Sequence, residues 1–354
     1  GAILSFMRKS LLFIGNYGNR NIGDDAILFV LSRRYKRKYP DYQQYVLARA
    51  YSDDIYKISL AIPLKINISS LFKILLSVDM IIIGGGGIFS SYTGPIAKFI
   101  PLFALFNRLI GKTVIYESIG VYPTASLFQR ITLYISMIIA NKVSVRDRSS
   151  YECLAFVRKF RNVLLVKDPA FLLKPVSKRR ILDILKEEKI DLLPDNLVGF
   201  SIKGLKDINQ DRKLKKVIIE TISFLSEKKI GVLIIPFCHD MFQTSEKDNL
   251  LAECIINSLP HKKYVYFLKN YYHPREIMGV MNLCKIFVGM RFHSLVFAHI
   301  LRIPLIPIPY EKKCEDFIEE YNYKNNSINL ETATSFCFKN KIFSILKNLG
   351  HCYE

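Results

Sequence analysis

Residues 10–25 of the 354-residue chain read SLLFIGNYGNRNIGDD, and this stretch indicates the fold class. Its first five residues, 10–14, form a short apolar run that is typical of a buried parallel strand. A glycine-rich turn follows, and residues 25–38 then have a helical pattern. A strand, a glycine turn and a helix in this order begin a βαβ unit, so we expect a doubly wound parallel sheet.

The same alternation runs along the rest of the chain. Further strands are predicted at residues 45–48, 80–83, 113–116, 142–145 and 163–166, and a helix at 126–140. After DPAF at 168–171 the pattern changes, and residues 174–195 predict a linker followed by a surface helix. A second series of strands is predicted at 197–202, 231–235, 264–268, 286–288 and 305–308, with helices at 213–227 and 294–301.

These two series predict an α/β protein with two tandem doubly wound, Rossmann-like domains. The length of the chain agrees with two domains of ordinary size. We expect the first domain at residues 1–173 and the second at 174–335. A final helix within 336–354 is expected to pack back on the first domain. A ligand is expected between the carboxyl ends of the strands of the two domains.

The chain is strongly basic, with 51 Lys and Arg against 31 Asp and Glu and a formal net charge of +20. The basic residues form scattered clusters, and the sequence resembles no nucleic-acid-binding module, so nucleic acid is not an expected partner. An anionic membrane surface stays open as a partner. No apolar run reaches the ~18 residues that a spanning helix needs. The apolar stretches 96–110 and 127–140 predict core helices, with a location in the bilayer interface as the alternative.

The seven cysteines form no C-x-x-C pair, and their odd number argues against a secreted disulfide framework. Residues 1–12 do not resemble a signal peptide. We therefore expect a cytoplasmic protein, with peripheral attachment to the inner face of the membrane left open. The sequence has neither H-E-x-x-H nor clustered Cys and His, so no metal site is predicted.

Two glycine-rich loops predict binding of an anion or a sugar by backbone amides. The first follows the strand at 10–14, and the second follows the strand at 80–83. Asp24 and Asp25 close the first loop, as functional carboxylates or as helix caps. The candidate binding residues of the two loops are Gly15, Asn16, Gly18, Asn21, Gly84, Gly85, Gly86 and Gly87.

Basic side chains follow other predicted strands. Arg146 comes directly after the strand at 142–145, where it binds an anion or pairs with Asp147. Residues 288–294 read VGMRFHS, which brings Arg291, His293 and Ser294 to the start of a helix. Cations and free amides at such a turn favour an anionic ligand, and a histidine there can transfer a proton. His239, after the strand at 231–235, is a further candidate contact.

Taken in order, these motifs resemble those of the polysaccharide pyruvyl transferase family. The resemblance covers about residues 11–310 and rests on GNYGNRNIGDDAIL, IIIGGGGIF, SIG, VSVRD, DPAF and GMRFHS. It implies a GT-B-like arrangement of the two domains. It also implies transfer of the enolpyruvyl group of phosphoenolpyruvate to a sugar of a bacterial cell-surface polysaccharide precursor, which forms a pyruvate ketal and releases phosphate.

The resemblance implies roles at matching positions. Arg291 and His293 would hold the donor's phosphate and carboxylate, and Arg146 would add a second clamp. His293 is the first candidate for proton transfer, and the two aspartates compete with Glu117 for the role of base. No cofactor is implied beyond the donor itself. The chain departs from the family pattern at Glu117, where a glutamine is usual, and at Asp25, where a glutamate is usual.

Two other functions remain open from the sequence. A GT-B glycosyltransferase with a nucleotide-sugar donor would have a similar architecture, and Glu311 or Glu315 would then contact the ribose. A non-catalytic protein that binds an anionic glycan at the membrane surface is the alternative from a different class. An undecaprenyl-diphosphate-linked acceptor is a hypothesis that the net charge of +20 motivates.

Overall fold

The structure, a computed structural model, describes residues 9–48, 60–63, 73–74, 76–87, 89, 95–123, 126–190, 193–239 and 247–350. The chain divides into two compact units. The first unit comprises Gly1–Asn19 and Asp24–Leu172, and the second comprises Arg20–Gly23 and Leu173–Glu354. The four residues Arg20–Gly23 thus belong to the second unit, although their neighbours in the chain belong to the first.

The first unit is built on a parallel sheet with the strand order β3-β2-β1-β4-β5-β6-β7. The strands are β1 (Ser10–Ile14), β2 (Gln43–Ala48), β3 (Leu60–Pro63), β4 (Met80–Gly84), β5 (Thr113–Ile119), β6 (Lys142–Val145) and β7 (Leu164–Leu165). The helices are α1 (Ile22–Lys38), α2 (Pro95–Leu109), α3 (Leu127–Ile139), α4 (Arg148–Cys153) and α5 (Ala155–Arg158). β1 is buried along its whole length, as its apolar run predicts for a strand covered on both faces.

The second unit has a smaller parallel sheet with the order β10-β9-β8-β11-β12. The strands are β8 (Leu197–Ser201), β9 (Gly231–Ile234), β10 (Val265–Phe267), β11 (Ile286–Gly289) and β12 (Leu305–Pro307). The helices are α6 (Lys178–Glu187), α7 (Ile208–Glu227), α8 (Asp248–Asn257), α9 (Pro274–Met281), α10 (Phe292–Ile300), α11 (Lys312–Glu320) and α12 (Ser335–Asn348). The predicted doubly wound α/β class is confirmed in both units.

The C-terminal helix α12 is part of the second unit. Phe338, Ile342 and Leu346 recur every four residues and are fully buried in that unit's core. On the same helix, the Phe343 ring lies 5.8 Å from the ring of Phe224 on α7. The apolar stripe of α12 is therefore buried against α7 within the second unit.

Each sheet has one point at which consecutive strands lead away in opposite directions. In the first unit this switch point lies between β1 and β4, and in the second it lies between β8 and β11. Loops that leave the carboxyl ends of such strands form a crevice in which α/β proteins bind ligands. Both predicted glycine-rich loops follow β1 and β4, and the Arg291 turn follows β11, so the fold brings these motifs to the switch points.

The apolar stretches 96–110 and 127–140 form the helices α2 and α3, but large apolar side chains on both, such as Phe99 and Phe128, are exposed and do not lie in the core. Within the part of the chain that the structure describes, no helix combines the length and the hydropathy needed to cross a membrane.

Candidate functional site

The loop after β4 needs its glycines because α1 approaches it closely. Gly85 and Gly86 have φ angles of +75° and +74°, a region that side chains disfavour. A Cβ atom on Gly86 would lie 2.7 Å from the Asp24 carboxylate, and one on Gly85 would lie 2.7 Å from Ile27. Gly84 is similarly close to Leu31, at 2.9 Å. The loop therefore packs closely against the first turns of α1. This packing requires glycine for structural reasons, independently of a role in ligand binding.

Asp24 and Asp25 lie buried in the first turn of α1, where the helix dipole favours carboxylates. The Asp24 carboxylate accepts a hydrogen bond of 2.7 Å from the Asn16 amide, and Asn16 in turn accepts one of 2.6 Å from Asn19. Asn16 therefore orients Asp24 and does not act only as a loop residue.

Tyr17 is buried beside Asp24, Asp25 and the loop after β4. Its hydroxyl donates a 2.6 Å hydrogen bond to the carbonyl of Gly84, which joins the loops after β1 and β4. Burial first, and then the charges of Asp24, Asp25 and Asp168, raise the pKa of Tyr17 well above its ordinary value. Three carboxylates thus surround one protonated phenol at the first switch point.

The remaining residues of the first loop have local roles. A Cβ atom on Gly15 would lie 2.5 Å from the carbonyl oxygen of Gly84, so the two loops are in close contact there. Gly18 has a φ angle of +80°. Asn21 accepts a 3.0 Å hydrogen bond from the Gly23 amide and so stabilises the start of α1.

Glu117 on β5 is held in an ion-pair cluster. Its carboxylate accepts hydrogen bonds from Arg34 and Tyr35 at 3.1 Å and from Lys142 at 3.0 Å. Its side chain is only 3% exposed. Burial and the Glu117 charge raise the pKa of Tyr35, which therefore stays a donor. This cluster gives Glu117 a structural role between β5, β6 and α1, so Asp24 and Asp25 are the better candidates for a base.

Arg146 is also buried among anionic groups. Its guanidinium lies 3.1 Å from the Asp168 carboxylate and 3.5 Å from that of Asp147. Burial alone would lower its pKa, but Tyr122 and the two carboxylates outweigh burial and raise it. The predicted pairing with Asp147 is observed. Asp168, in the DPAF motif, is a stronger partner that the sequence did not assign.

In the second unit, Arg291 follows β11 and forms a two-point ion pair with Asp248 at the start of α8. The Nε and Nη2 atoms of Arg291 lie 2.9 Å and 2.6 Å from the two carboxylate oxygens. Asp248 also accepts hydrogen bonds from the backbone amides of Phe237 and Cys238. Burial opposes the charge on Arg291, but Asp248 outweighs it and raises the pKa well above its ordinary value. The guanidinium is therefore a fixed, permanent cation.

Arg291 is also the N-cap residue of α10, and its side chain makes no cap hydrogen bond to that helix. His293 is the second residue of α10 and is 9% exposed. Ser294 donates its hydroxyl at 2.6 Å to the carbonyl of Arg291, which fixes the turn. A permanent cation, an imidazole and the amino end of a helix are thus combined within three residues.

The segment Arg20–Gly23 lies beside Arg291, Asp248 and His293, and we refer to this group as the second-unit site. The Ile22 amide donates to the Phe237 carbonyl, and the His239 amide donates to the Arg20 carbonyl, both at 2.9 Å. A Cβ atom on Gly23 would lie only 1.8 Å from Nδ1 of His293, so glycine leaves the space that the imidazole occupies.

His239 lies beside this segment as a neutral side chain. Burial first, and then the charge of Arg20, lower the pKa of His239 to about 4, against a smaller opposing effect of Glu188. A neutral imidazole can form hydrogen bonds but cannot supply a positive charge to an anion.

Three side chains of the second-unit site were not predicted from the sequence: Asp248, Lys203 and Tyr310. Lys203 follows β8, and its ammonium lies 5.6 Å from the centre of the Tyr310 ring. The Lys203 amide contacts the Met290 sulfur at 3.5 Å, directly before Arg291. Because Lys203 follows a predicted strand at the switch point, the sequence could have identified it as a candidate site residue. Among the described residues, no group of three His, Cys, Asp or Glu could hold a metal ion.

The sequence model of the polysaccharide pyruvyl transferase family matches residues 21–312, which is most of the chain. The chain belongs to the polysaccharide pyruvyl transferase family. This membership identifies a transferase and confirms the resemblance found in the motifs. No curated protein matches the sequence significantly.

Solved structures give the fold of this pyruvyl transferase family member. A UDP-GlcNAc 2-epimerase from Methanocaldococcus jannaschii is 12% identical with a TM-score of 0.62, over 98% of this chain and 94% of the epimerase. The ADP-heptose lipopolysaccharide heptosyltransferase II of E. coli is 15% identical with a TM-score of 0.53, over 97% of this chain and all of the other. At these identities the likeness concerns the fold, and it confirms the predicted GT-B class.

Proposed function

We propose that this chain transfers the enolpyruvyl group of phosphoenolpyruvate to a sugar of a cell-surface polysaccharide precursor and releases phosphate. The observation that carries the proposal is the turn after β11, where Arg291 is locked by Asp248 at the amino end of α10 and His293 follows two residues later. Such a turn is suited to a small anion that carries a phosphate and a carboxylate.

The donor's anionic groups are bound by fixed charges in this proposal. Asp248 contacts the Nε and Nη2 atoms of Arg291 and so fixes the guanidinium, and the phosphate or carboxylate of the donor pairs with this guanidinium in the proposal. The amides at the start of α10 add a partial positive charge. Because the guanidinium is already oriented before the donor arrives, little reorganisation accompanies binding.

The proposed reaction begins with proton transfer from His293 to the methylene carbon of the donor, which makes C2 electrophilic. A sugar hydroxyl adds to C2 and loses its proton to a carboxylate that acts as general base. The bond between C2 and the phosphate oxygen breaks, and phosphate leaves. A second hydroxyl then adds to C2, closes the ketal and returns a proton to His293, while the proton taken from the first hydroxyl leaves with phosphate. One donor and one diol thus give one ketal and one hydrogen phosphate.

A nucleotide-sugar glycosyltransferase is the second candidate, because Glu311 has a suitable place. Glu311 is the N-cap residue of α11, directly after Tyr310, and its carboxylate lies 2.8 Å from Lys313. Glu315 lies one turn later and is mostly exposed. Glu311 is the one of the two that this alternative assigns to a ribose.

Thermal-shift titrations with phosphoenolpyruvate, UDP-sugars and GDP-sugars distinguish the two candidates. A ligand that binds the native state raises the melting temperature. We expect a saturable shift with phosphoenolpyruvate in the wild type, a weaker one in Arg291→Lys and none in Arg291→Ala. The exposed Arg212 on α7 provides a control, since Arg212→Ala removes the same charge far from β11 in sequence.

A shift with a nucleotide sugar, and none with phosphoenolpyruvate, would replace the proposal with glycosyl transfer. Equal shifts in Arg291→Ala and Arg212→Ala would refute the role of Arg291. Arg291→Lys keeps a cation beside Asp248, so it provides a folded variant if Arg291→Ala is unstable.

A further inference from the structure

Three helices of the first unit present large apolar side chains to solvent. Phe99 and Phe106 lie seven residues apart on α2, and Phe128, Ile131 and Ile135 follow the same kind of spacing on α3. With Phe156 on α5, these six side chains are between 43% and 60% exposed. We refer to this set as the apolar face. Single exposed apolar residues are common, but a group of this kind marks an interaction surface.

Hydrogen bonds and ring contacts join the three helices. The Arg108 guanidinium near the end of α2 donates a 2.9 Å hydrogen bond to the carbonyl of Ile139 at the end of α3. The Tyr134 ring on α3 stacks on Phe156 at 5.8 Å, and Phe156 lies 5.1 Å from Phe160. The three helices that carry the apolar face are therefore packed against one another.

Every charged side chain within α2, α3 and α5 is basic, and the exposed Glu152 on the neighbouring α4 pairs with Arg148. The sequences of α2, α3 and α5 contain no Asp or Glu. Arg130 on α3 and Arg158 on α5 are exposed, and the exposed Lys159 follows directly. Long basic side chains beside exposed aromatic and aliphatic residues are typical of helices that lie in the interface of an anionic bilayer.

We propose that the apolar face docks on an anionic lipid bilayer. The six apolar side chains enter the boundary between headgroups and acyl chains, and Arg130, Arg158 and Lys159 contact lipid phosphates. A second copy of the chain fits this surface less well. A two-fold dimer would bring the same basic residues together, and the three helices provide no carboxylate to pair with them. The docking does not depend on the reaction proposed above.

Flotation with vesicles tests the docking directly. The full chain is mixed with vesicles of phosphatidylcholine alone, or of phosphatidylcholine and phosphatidylglycerol in equal amounts, at low and high salt. We expect binding to the anionic vesicles that weakens with salt. Phe128→Gln with Ile131→Gln should abolish it. Arg130→Gln with Lys159→Gln should weaken it by about fivefold for each charge removed.

A matched control comes from the second unit, where Ile208 and Phe336 are 72% and 70% exposed. Replacing both with Gln removes the same two residue types, which are more exposed here than Phe128 at 60% and Ile131 at 47%, and should leave vesicle binding unchanged. The proposal would be overturned if the protein did not bind anionic vesicles at low salt, or if the Phe128/Ile131 variant and the Ile208/Phe336 variant lost binding equally. It would also be overturned by a dimer in solution that only the Phe128 and Ile131 changes dissociate. Phosphoenolpyruvate binding, measured separately, would be unaffected in every case.

Discussion

Gly23→Ala tests the position of His293, because two opposite effects of known size meet at this residue. Alanine in place of glycine normally stabilises a helix by ~0.5–1 kcal/mol. Here the new Cβ atom would lie 1.8 Å from Nδ1 of His293, and ordinary contact begins near 3.4 Å, so the ring must move by about 1.6 Å. Overpacking of this kind costs ~1–3 kcal/mol. The difference is a net destabilisation of ~0–2.5 kcal/mol, which we expect to observe in urea denaturation.

The same displacement should reduce turnover by on the order of 100-fold if His293 transfers the proton, since a shift of ~1 Å has that effect in other enzymes. The control is the same change in a His293→Ala background, where the clash is absent and the alanine should stabilise the protein. A Gly23→Ala variant that is more stable than the wild type would refute the reasoning, because the imidazole would then not occupy this space.

Three further predictions concern the ion pairs and the buried histidine. Asp248→Asn should lower the free energy of unfolding, measured by urea denaturation, by ~3–5 kcal/mol, because it leaves the buried Arg291 guanidinium without its counterion. The double variant with Asp248→Asn and Arg291→Met should recover part of this loss. Glu117→Gln should lower the free energy of unfolding by ~1.5–3 kcal/mol in the same assay and leave turnover close to that of the wild type. A complete loss of turnover with normal stability would instead make Glu117 the base. His239 is neutral in the folded state down to a pKa of about 4, while the unfolded chain binds the proton near 6.5, so stability should fall by ~3 kcal/mol as the pH drops between these values. His239→Asn should remove this pH dependence, and an unchanged slope would contradict the assignment.

Most of the parallel strands could be predicted from the sequence because they are apolar runs, which in the central strands are buried on both faces, whereas Leu164 and Leu165 of β7 at the sheet edge are exposed. β1 and β6 have the predicted bounds, and β11 differs from its predicted range by one residue. β3 was not predicted. Helix starts were less accurate: α7 begins at Ile208, five residues before the predicted start, because Asp207 caps it and the polar first turn has no apolar period.

The candidate site could be predicted where it depends on local order along the chain. Arg291 and His293 are two residues apart, and the strand and helix around them fix their place. Their partners could not be predicted in the same way, because Asp248 is 43 residues from Arg291 and Asp168 is 22 residues from Arg146. Such pairs depend on which strand ends meet in the sheet, and neither the composition nor the periodicity of a segment records that.

The pairing of Arg20–Gly23 with the segment around Phe237 and His239 makes the second unit discontinuous in the chain. These four residues are synthesised well before the rest of the second unit. The second unit can therefore fold completely only after residues 173–354 have been made, and it must then incorporate the earlier segment. A protein expressed from Leu173 onward would lack the hydrogen bonds to Phe237 and His239, and the space of Gly23 beside His293 would be unfilled. Dissection of the chain at the boundary near Leu172 therefore yields a second unit that is incomplete by four residues.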